Sequence, residues 1–273
     1  MPGILYIVAT PIGNLEDITL RALRILKEVA CIACEDTRVS IKLLNHYGIK
    51  KKLIPYYKFN QREQEDYFIN LLKEGRNIAL ISDAGTPAIN DPGEFLIARC
   101  VKEKIKLSPV PGACSFIAGL ISSGIETTEF TYLGYLPGKK SELETLLNNI
   151  KNEARTLIFY ETPHRLRKTL ELMHDMLGER KICLAKEITK IHEKFTTDSI
   201  GNILKTLPEK VKGEYIIIIE GNKEKNRDFE EEIILKEIKK YKNIPAKEVA
   251  KFISEKYDIP KNKAYNLVVK NKE

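Results

Sequence analysis

Residues Ile78–Gly93 read IALISDAGTPAINDPG, and the two halves of that stretch decide the fold. Ile78, Ala79, Leu80 and Ile81 form an apolar run without polar alternation. Such a run suits a strand covered on both faces, as in a parallel sheet. It stops at Ser82-Asp83, and a loop of small and turn-forming residues follows up to Asn90-Asp91-Pro92-Gly93. The loop at the carboxyl end of a buried parallel strand is where open α/β sheets bind ligands. Gly85 permits close approach of backbone to a ligand, and Pro87 and Pro92 stiffen the loop. The same wording also suits an ordinary βα connection, so other stretches must decide between the two.

Upstream, Ile4 to Ala9, Ala30 to Ala33 and Leu53 to Tyr56 read as strands. Thr19 is a candidate N-cap for a helix through Leu20 and Leu26, and Asn60 with Glu63 resembles a capping box. Downstream, Ile105 to Val110 is a strand, and Phe116 to Ser122 is small and apolar enough for a buried helix. This alternation predicts a parallel sheet. Glu126 to Thr128 marks a break. Beyond it, Phe130 to Leu136, Thr156 to Tyr160, Lys181 to Ala185 and Tyr215 to Ile219 read as strands. Helices are expected from Ser141, over Leu166 to Leu177, and near Ile200 to Leu207. After the polar stretch Asn222 to Asp228 come three helical patterns, Phe229 to Tyr241, Pro245 to Tyr257 and Pro260 to Lys270; both prolines suit a helix start. The expectation is an α/β protein with an αβα domain over 1–125, a second over 126–222 and a trihelical tail over 223–273.

At 273 residues the chain is long enough for about two domains. Its formal net charge of +7 is compatible with an anionic partner. The tail adds to this: from Pro245 to Lys272 there are seven lysines against three acids, which suits a basic helix-turn-helix or a solvated cap over the core. No apolar run approaches the roughly 18 residues of a membrane span, and the N-terminus lacks the basic start of a signal peptide. Five cysteines, an odd number without such a signal, argue for reduced thiols and a cytoplasmic protein. Cys31 and Cys34 have metal-ligand spacing but no second pair, so they read as core thiols and no metal is expected.

No G-x-G-x-x-G follows the first strand and no Walker sequence occurs, so a phosphate-cradled nucleotide is not indicated. Four exit loops do line up: Thr10-Pro11-Ile12-Gly13-Asn14-Leu15, Ser82-Asp83-Ala84-Gly85-Thr86-Pro87, Pro111-Gly112-Ala113-Cys114-Ser115 and Tyr160-Glu161-Thr162-Pro163-His164-Arg165. In order and wording this set resembles the tetrapyrrole methylase superfamily, the class III S-adenosylmethionine methyltransferases. It is most like the branch that 2′-O-methylates a cytidine of small-subunit ribosomal RNA. The resemblance spans essentially the whole chain. It implies two unequal αβα domains with the cofactor in the cleft between them, usually as a homodimer. It also implies a pocket for S-adenosylmethionine lined by Pro11, Ile12, Gly13, Asp83, Ala84, Gly85, Thr86, Ala113, Cys114, Ser115 and Tyr160. Cys114 departs from relatives, which often carry Ser or Ala there.

A ribose hydroxyl is a poor nucleophile near neutral pH, so a base or an oriented hydrogen bond is expected. Strand-end candidates are Glu35, Asp36, Glu161, His164, Lys186 and Glu187, with Glu35 and Glu161 preferred as catalytic. Each also has a structural role open to it, such as pairing of Glu35 or Asp36 with Arg38. RNA would be held through phosphates by Arg38, Lys139, Lys140, Arg165, Arg167, Lys168 and the tail lysines, with His164 near the substrate. Tyr56 and Tyr57 beside Lys58 either stack a base or pack in the core. Two alternatives stay open, a C-methyltransferase acting on a tetrapyrrole and a non-catalytic helix-turn-helix regulator.

Overall fold

The computed structural model describes residues 2–222, 233–241, 244–257 and 259–271. The quoted run is indeed a buried strand, β4 (Ile78–Ile81), with all four side chains out of solvent. It lies in a sheet with β1 (Ile4–Val8), β2 (Cys31–Cys34), β3 (Leu53–Pro55) and β5 (Lys106–Val110), in the order β3-β2-β4-β1-β5. Every pairing in it is parallel. Parallel strands need crossovers, and four helices supply them: α1 (Leu20–Glu28), α2 (Thr37–His46), α3 (Gln61–Lys73) and α4 (Glu94–Lys102). Side chains alternate across the sheet. Leu5, Cys31, Ala33, Ile78 and Leu80 pack with α3 and α4, while Val8, Ile32, Cys34, Ala79 and Ile81 pack with α1 and α2. Cys31 and Cys34 are thus buried thiols on opposite faces. Thr19 caps α1, accepting from the Ala22 N–H at 3.0 Å.

The expected capping box at Asn60 does not form. The Asn60 side chain turns back on the chain before it, accepting from Tyr57 N–H at 2.8 Å and donating to Pro55 O at 2.9 Å. Nor is Tyr56 available to stack a base: it is fully buried, and its hydroxyl accepts from Leu96 N–H.

The second sheet has the order β6-β7-β10-β8-β9. Its strands are β6 (Phe130–Tyr135), β7 (Thr156–Glu161), β8 (Lys181–Lys186), β9 (Lys194–Ser199) and β10 (Tyr215–Ile219). Only β6 and β7 run parallel; the other pairings are antiparallel. Strand β9 was not expected from sequence. Its KFTTDS wording lacks apolar alternation because it is an edge, paired on one side to β8. One face of this sheet is covered by α6 (Lys140–Ile150), α7 (Pro163–Leu177) and α8 (Ile200–Thr206). Helix α6 begins at Lys140, with Lys139 rather than Ser141 at its cap.

The other face is covered by α5 (Ser115–Ser122), whose Phe116 and Leu120 pack with Ile158, Cys183, Ile216 and Ile218. A Cβ at Gly119 would sit 3.4 Å from Ile218 Cδ1, so the helix axis approaches β10 closely there. The chain therefore crosses to the second layer at Ser115, ahead of the break expected at Glu126 to Thr128. Nor is α5 buried all round, because Ile117 and Ile121 are 37% and 70% exposed on its outer side.

Residues 233–241 are helical, followed by α9 (Ala246–Lys256) and α10 (Lys261–Asn271). The expected helix start at Phe229 and the linker beyond Asn222 lie outside the described residues. The tail has a core of its own, built on Ile234, Ile238, Val249, Ile253, Leu267 and Val268. Pro245 and Pro260 each stand one residue before a helix. Among the described residues no helix is long and apolar enough to cross a membrane.

Candidate active site

Loops from both sheets meet around a cavity of about 300 Å³. Thr10 and Gly85 form an isolated antiparallel bridge just past β1 and β4, which ties the first two loops together. Gly85 holds φ +84°, and a Cβ there would meet Ile12 Cγ2 at 3.2 Å. The Thr86 hydroxyl donates to Ala113 O at 3.1 Å, which joins the third loop to the same floor. The second layer closes on it through Ser115 and Tyr160, whose hydroxyl oxygens are 2.6 Å apart.

Of the expected cofactor residues, Ile12, Asp83, Ala84, Gly85, Thr86, Cys114, Ser115 and Tyr160 line the cavity. Pro11, Gly13 and Ala113 do not. Pro11 is buried, Gly13 packs against Thr189 and Lys190, and Ala113 supplies the carbonyl taken by Thr86. Glu161 borders the cavity, but its side chain is shut off from solvent. One of its oxygens accepts from Thr162 N–H and Arg165, the other from the Thr169 hydroxyl at 2.7 Å. Arg165 also donates to Leu136 O, so the ETPHR wording ties β7 and α7 to the end of β6. His164 is exposed, 3.3 Å from the Thr162 hydroxyl. Lys139 and Lys140 are surface residues facing Glu142 and Glu144, and Arg38 is 87% exposed and paired with Asp36 at 2.6 Å. These five expected substrate residues lie outside the cavity lining.

Sequence reasoning passed over Asp91, which lines the cavity beside Asp83. Burial pushes its carboxyl up to about 6, with the Asp83 charge adding and the Ser82 hydroxyl opposing. Glu35, expected as catalytic, is half-buried and outside the cavity lining, and it is raised by burial, then by Asp91, Asp83 and Asp36. Asp83 is raised by burial, while the Asp36 N–H it accepts at 3.0 Å works the other way. Across the cavity Glu187 is lowered, chiefly by the Glu214 N–H it accepts at 2.8 Å. The missed signal is backbone conformation. Ala88, Asn90, Glu187 and Thr189 all hold positive φ without being glycine, and they flank the cavity from both layers. Such conformations cluster at ligand sites, held by their surroundings.

The cavity has a sign. Asp83, Asp91, Glu161, Glu187 and Glu214 line it and no lysine or arginine does; Arg165 pairs with Glu161 and Lys190 with Glu187 and Glu214, so the sign rests on Asp83 and Asp91, in a chain whose net charge is +7. A phosphate-bearing ligand does not suit such walls; a compact cation among backbone carbonyls does. Among the described residues no His, Cys, Asp and Glu group has the arrangement of a metal site.

A family model described as tetrapyrrole (corrin/porphyrin) methylases matches residues 4–204. The chain belongs to the tetrapyrrole methylase family. As a member it is a methyltransferase, and its reaction draws on a methyl donor. Among curated relatives, ribosomal RNA small subunit methyltransferase I of Haemophilus influenzae is 45% identical over 98% of this chain and 96% of its own. The protein of the same name from Halalkalibacterium halodurans is 42% identical over 97% of this chain and 94% of its own. The methyltransferase CobJ shares the fold, with a TM-score of 0.61 at 16% identity over 81% of this chain and 95% of that one. The family model stops at residue 204, whereas the two curated relatives extend over almost the whole chain, tail included.

Proposed function

We propose that this tetrapyrrole methylase family member transfers a methyl group from S-adenosylmethionine to the 2′-hydroxyl of a cytidine in small-subunit ribosomal RNA, in the cytoplasm. The observation that carries the reading is the acidic cavity in a basic protein. S-adenosylmethionine is a compact cation at its sulfonium and ammonium, with no phosphate, and it supplies an electrophilic methyl. Gly85 and Ala84 would expose backbone to it, Asp83 would face its positive charge, and Ile12 and Tyr160 would form an apolar slot. A polyanionic tetrapyrrole suits these walls poorly, while an RNA strand can stay on the basic exterior and present one ribose at the mouth.

The rest of the mechanism is positioning and proton removal. Glu161 is spent as a clamp, since both oxygens already accept hydrogen bonds. Asp91 is the acceptor placed at the cavity, and a group titrating near 6 is ionised yet basic at neutral pH. The exposed Ile117 and Ile121 on α5 are the face through which we expect two copies to pair. Calorimetric titration with S-adenosylmethionine, followed by mapping of ribose methylation on purified small subunits, tests the function. Binding of the donor with a single methylated cytidine is the expected result; a protein that binds no donor, or methylates no ribosomal RNA, refutes it.

A further inference from the structure

The exit of β3 carries Tyr56-Tyr57-Lys58-Phe59-Asn60, and its aromatic rings point opposite ways. Tyr56 is buried against Phe68, edge to face at 5.7 Å between centroids. Phe59 is 88% exposed and Tyr57 42%. This is no loose excursion of chain. Asn60 bonds through its side chain to Tyr57 N–H and Pro55 O, and through its own N–H to Tyr57 O at 3.0 Å. A turn fixed by three hydrogen bonds thus holds a whole phenyl ring in water and forgoes its burial.

The turn stands on the same rim as the cavity. Cys34 pairs with Pro55 on one side and with Ile81 on the other. Neighbouring strands lie about 4.8 Å apart, so the turn begins about 10 Å from the end of β4 that feeds the acidic cavity. Its charge is the reverse of that cavity. Between Tyr56 and Arg62 there are two cations, Lys58 and Arg62, and no acid, before Glu63 opens the acidic start of α3. Lys58 and Arg62, which flank Phe59, are exposed, and among the described residues neither is in an ion pair.

We propose that the Tyr57–Arg62 turn is a platform for single-stranded RNA: Phe59, aided by Tyr57, stacks an unpaired base near the target nucleotide while Lys58 and Arg62 hold flanking phosphates. The proposal rests on the ribosomal RNA reading above and names a contact surface for that substrate. Flat aromatic faces with interleaved cations take unpaired bases regardless of sequence, whereas a duplex keeps its base faces covered. The cations argue for a polyanion over a protein surface.

The test uses the full chain and a short single-stranded oligoribonucleotide carrying 2-aminopurine, whose fluorescence falls on stacking. Phe59→Ala and Phe59→Leu should weaken its binding about 5- to 150-fold, and Phe59→Trp should retain it. Lys58→Ala with Arg62→Ala should lower the salt slope by about 2. On small subunits the KM of the Phe59→Ala protein should rise, while S-adenosylmethionine binding by calorimetry stays as in the parent. Parental RNA binding and KM in Phe59→Ala would overturn the platform. So would full retention in Phe59→Leu alongside loss in Phe59→Ala, which marks an aliphatic contact, as with a protein partner. A parent protein that binds donor yet methylates no ribosomal RNA would refute the proposed function instead; the fluorescence comparison then decides the platform by itself.

Discussion

Thr10 and Gly85 exchange both backbone hydrogen bonds, Thr10 N–H to Gly85 O at 2.8 Å and Gly85 N–H to Thr10 O at 3.0 Å. Two loops that leave parallel strands are thereby joined as if they were one antiparallel pair, and the Thr10 hydroxyl adds a contact to Ser82 O at 3.2 Å. The joint depends on a left-handed residue at Gly85. Gly85→Ala should cost about 1–2 kcal/mol in urea unfolding from the conformation alone. Its methyl would also meet Ile12, 3.2 Å away, so donor affinity should fall at least about tenfold by calorimetry, beyond the stability loss.

Glu161 and Arg165 form a pair with a fully buried carboxylate, 2.7 Å apart. Removing one partner of a buried pair costs about 3–5 kcal/mol, because the other charge is left uncompensated. Glu161→Gln should therefore lower stability by an amount at the lower end of that range, since Arg165 is 28% exposed. Adding Arg165→Met should restore part of the loss, a coupling read by a double-mutant cycle. Parental stability with abolished turnover in Glu161→Gln would instead make it a reacting group.

Asp91 should set the acid limb of the pH–rate profile, because its carboxyl is pushed up to about 6. Turnover should fall tenfold per unit below that value. Asp91→Asn should remove the limb and reduce turnover about 10²- to 10⁴-fold. Stability moves the other way. The folded state keeps the proton up to about 6 while the unfolded chain releases it near 4, so the parent loses stability as pH rises between those values. Asparagine carries no such charge, so Asp91→Asn should be about 1–2 kcal/mol more stable at pH 7.5, after allowance for partial exposure, and equal to the parent near pH 3.

The tail core packs Ile253 at 0% exposure among its own helices. Ile253→Ala should melt this unit, at a cost of about 2–5 kcal/mol, ahead of the two-sheet body in hydrogen exchange. Truncation after Gly221 should leave donor binding at its parental value. It should weaken affinity for small subunits and flatten the salt dependence, as tail lysines no longer displace counterions. Unchanged affinity would show that the tail takes no part in RNA binding.

The buried strands were readable in both sheets because Ile78–Ile81 in the parallel sheet and Tyr215–Ile219 in the mixed one spell their burial in unbroken or nearly unbroken apolar residues. Edge strand β9 was not, since one-sided pairing leaves little pattern in KFTTDS. The capping box failed at Asn60 because one side chain can serve either the helix ahead or the turn behind, and composition does not say which. Loop wording located the cavity, since Gly85 and Thr86 are small for a reason that geometry repeats. It did not separate Glu161 from Asp91. Glu161 ends β7 and Asp91 sits deep in the loop after β4, and only three-dimensional packing shows that Arg165 and Thr169 occupy the first and leave the second beside open space.

Helix α5 is spoken for by strands that come after it in the chain. As the protein leaves the ribosome, β1 to β5 can close into a finished parallel sheet, yet Phe116 and Leu120 must wait for β7, β8 and β10. A nascent first half would thus carry a sticky ridge until roughly a hundred further residues arrive, a window in which a chaperone or a second nascent chain can seize it.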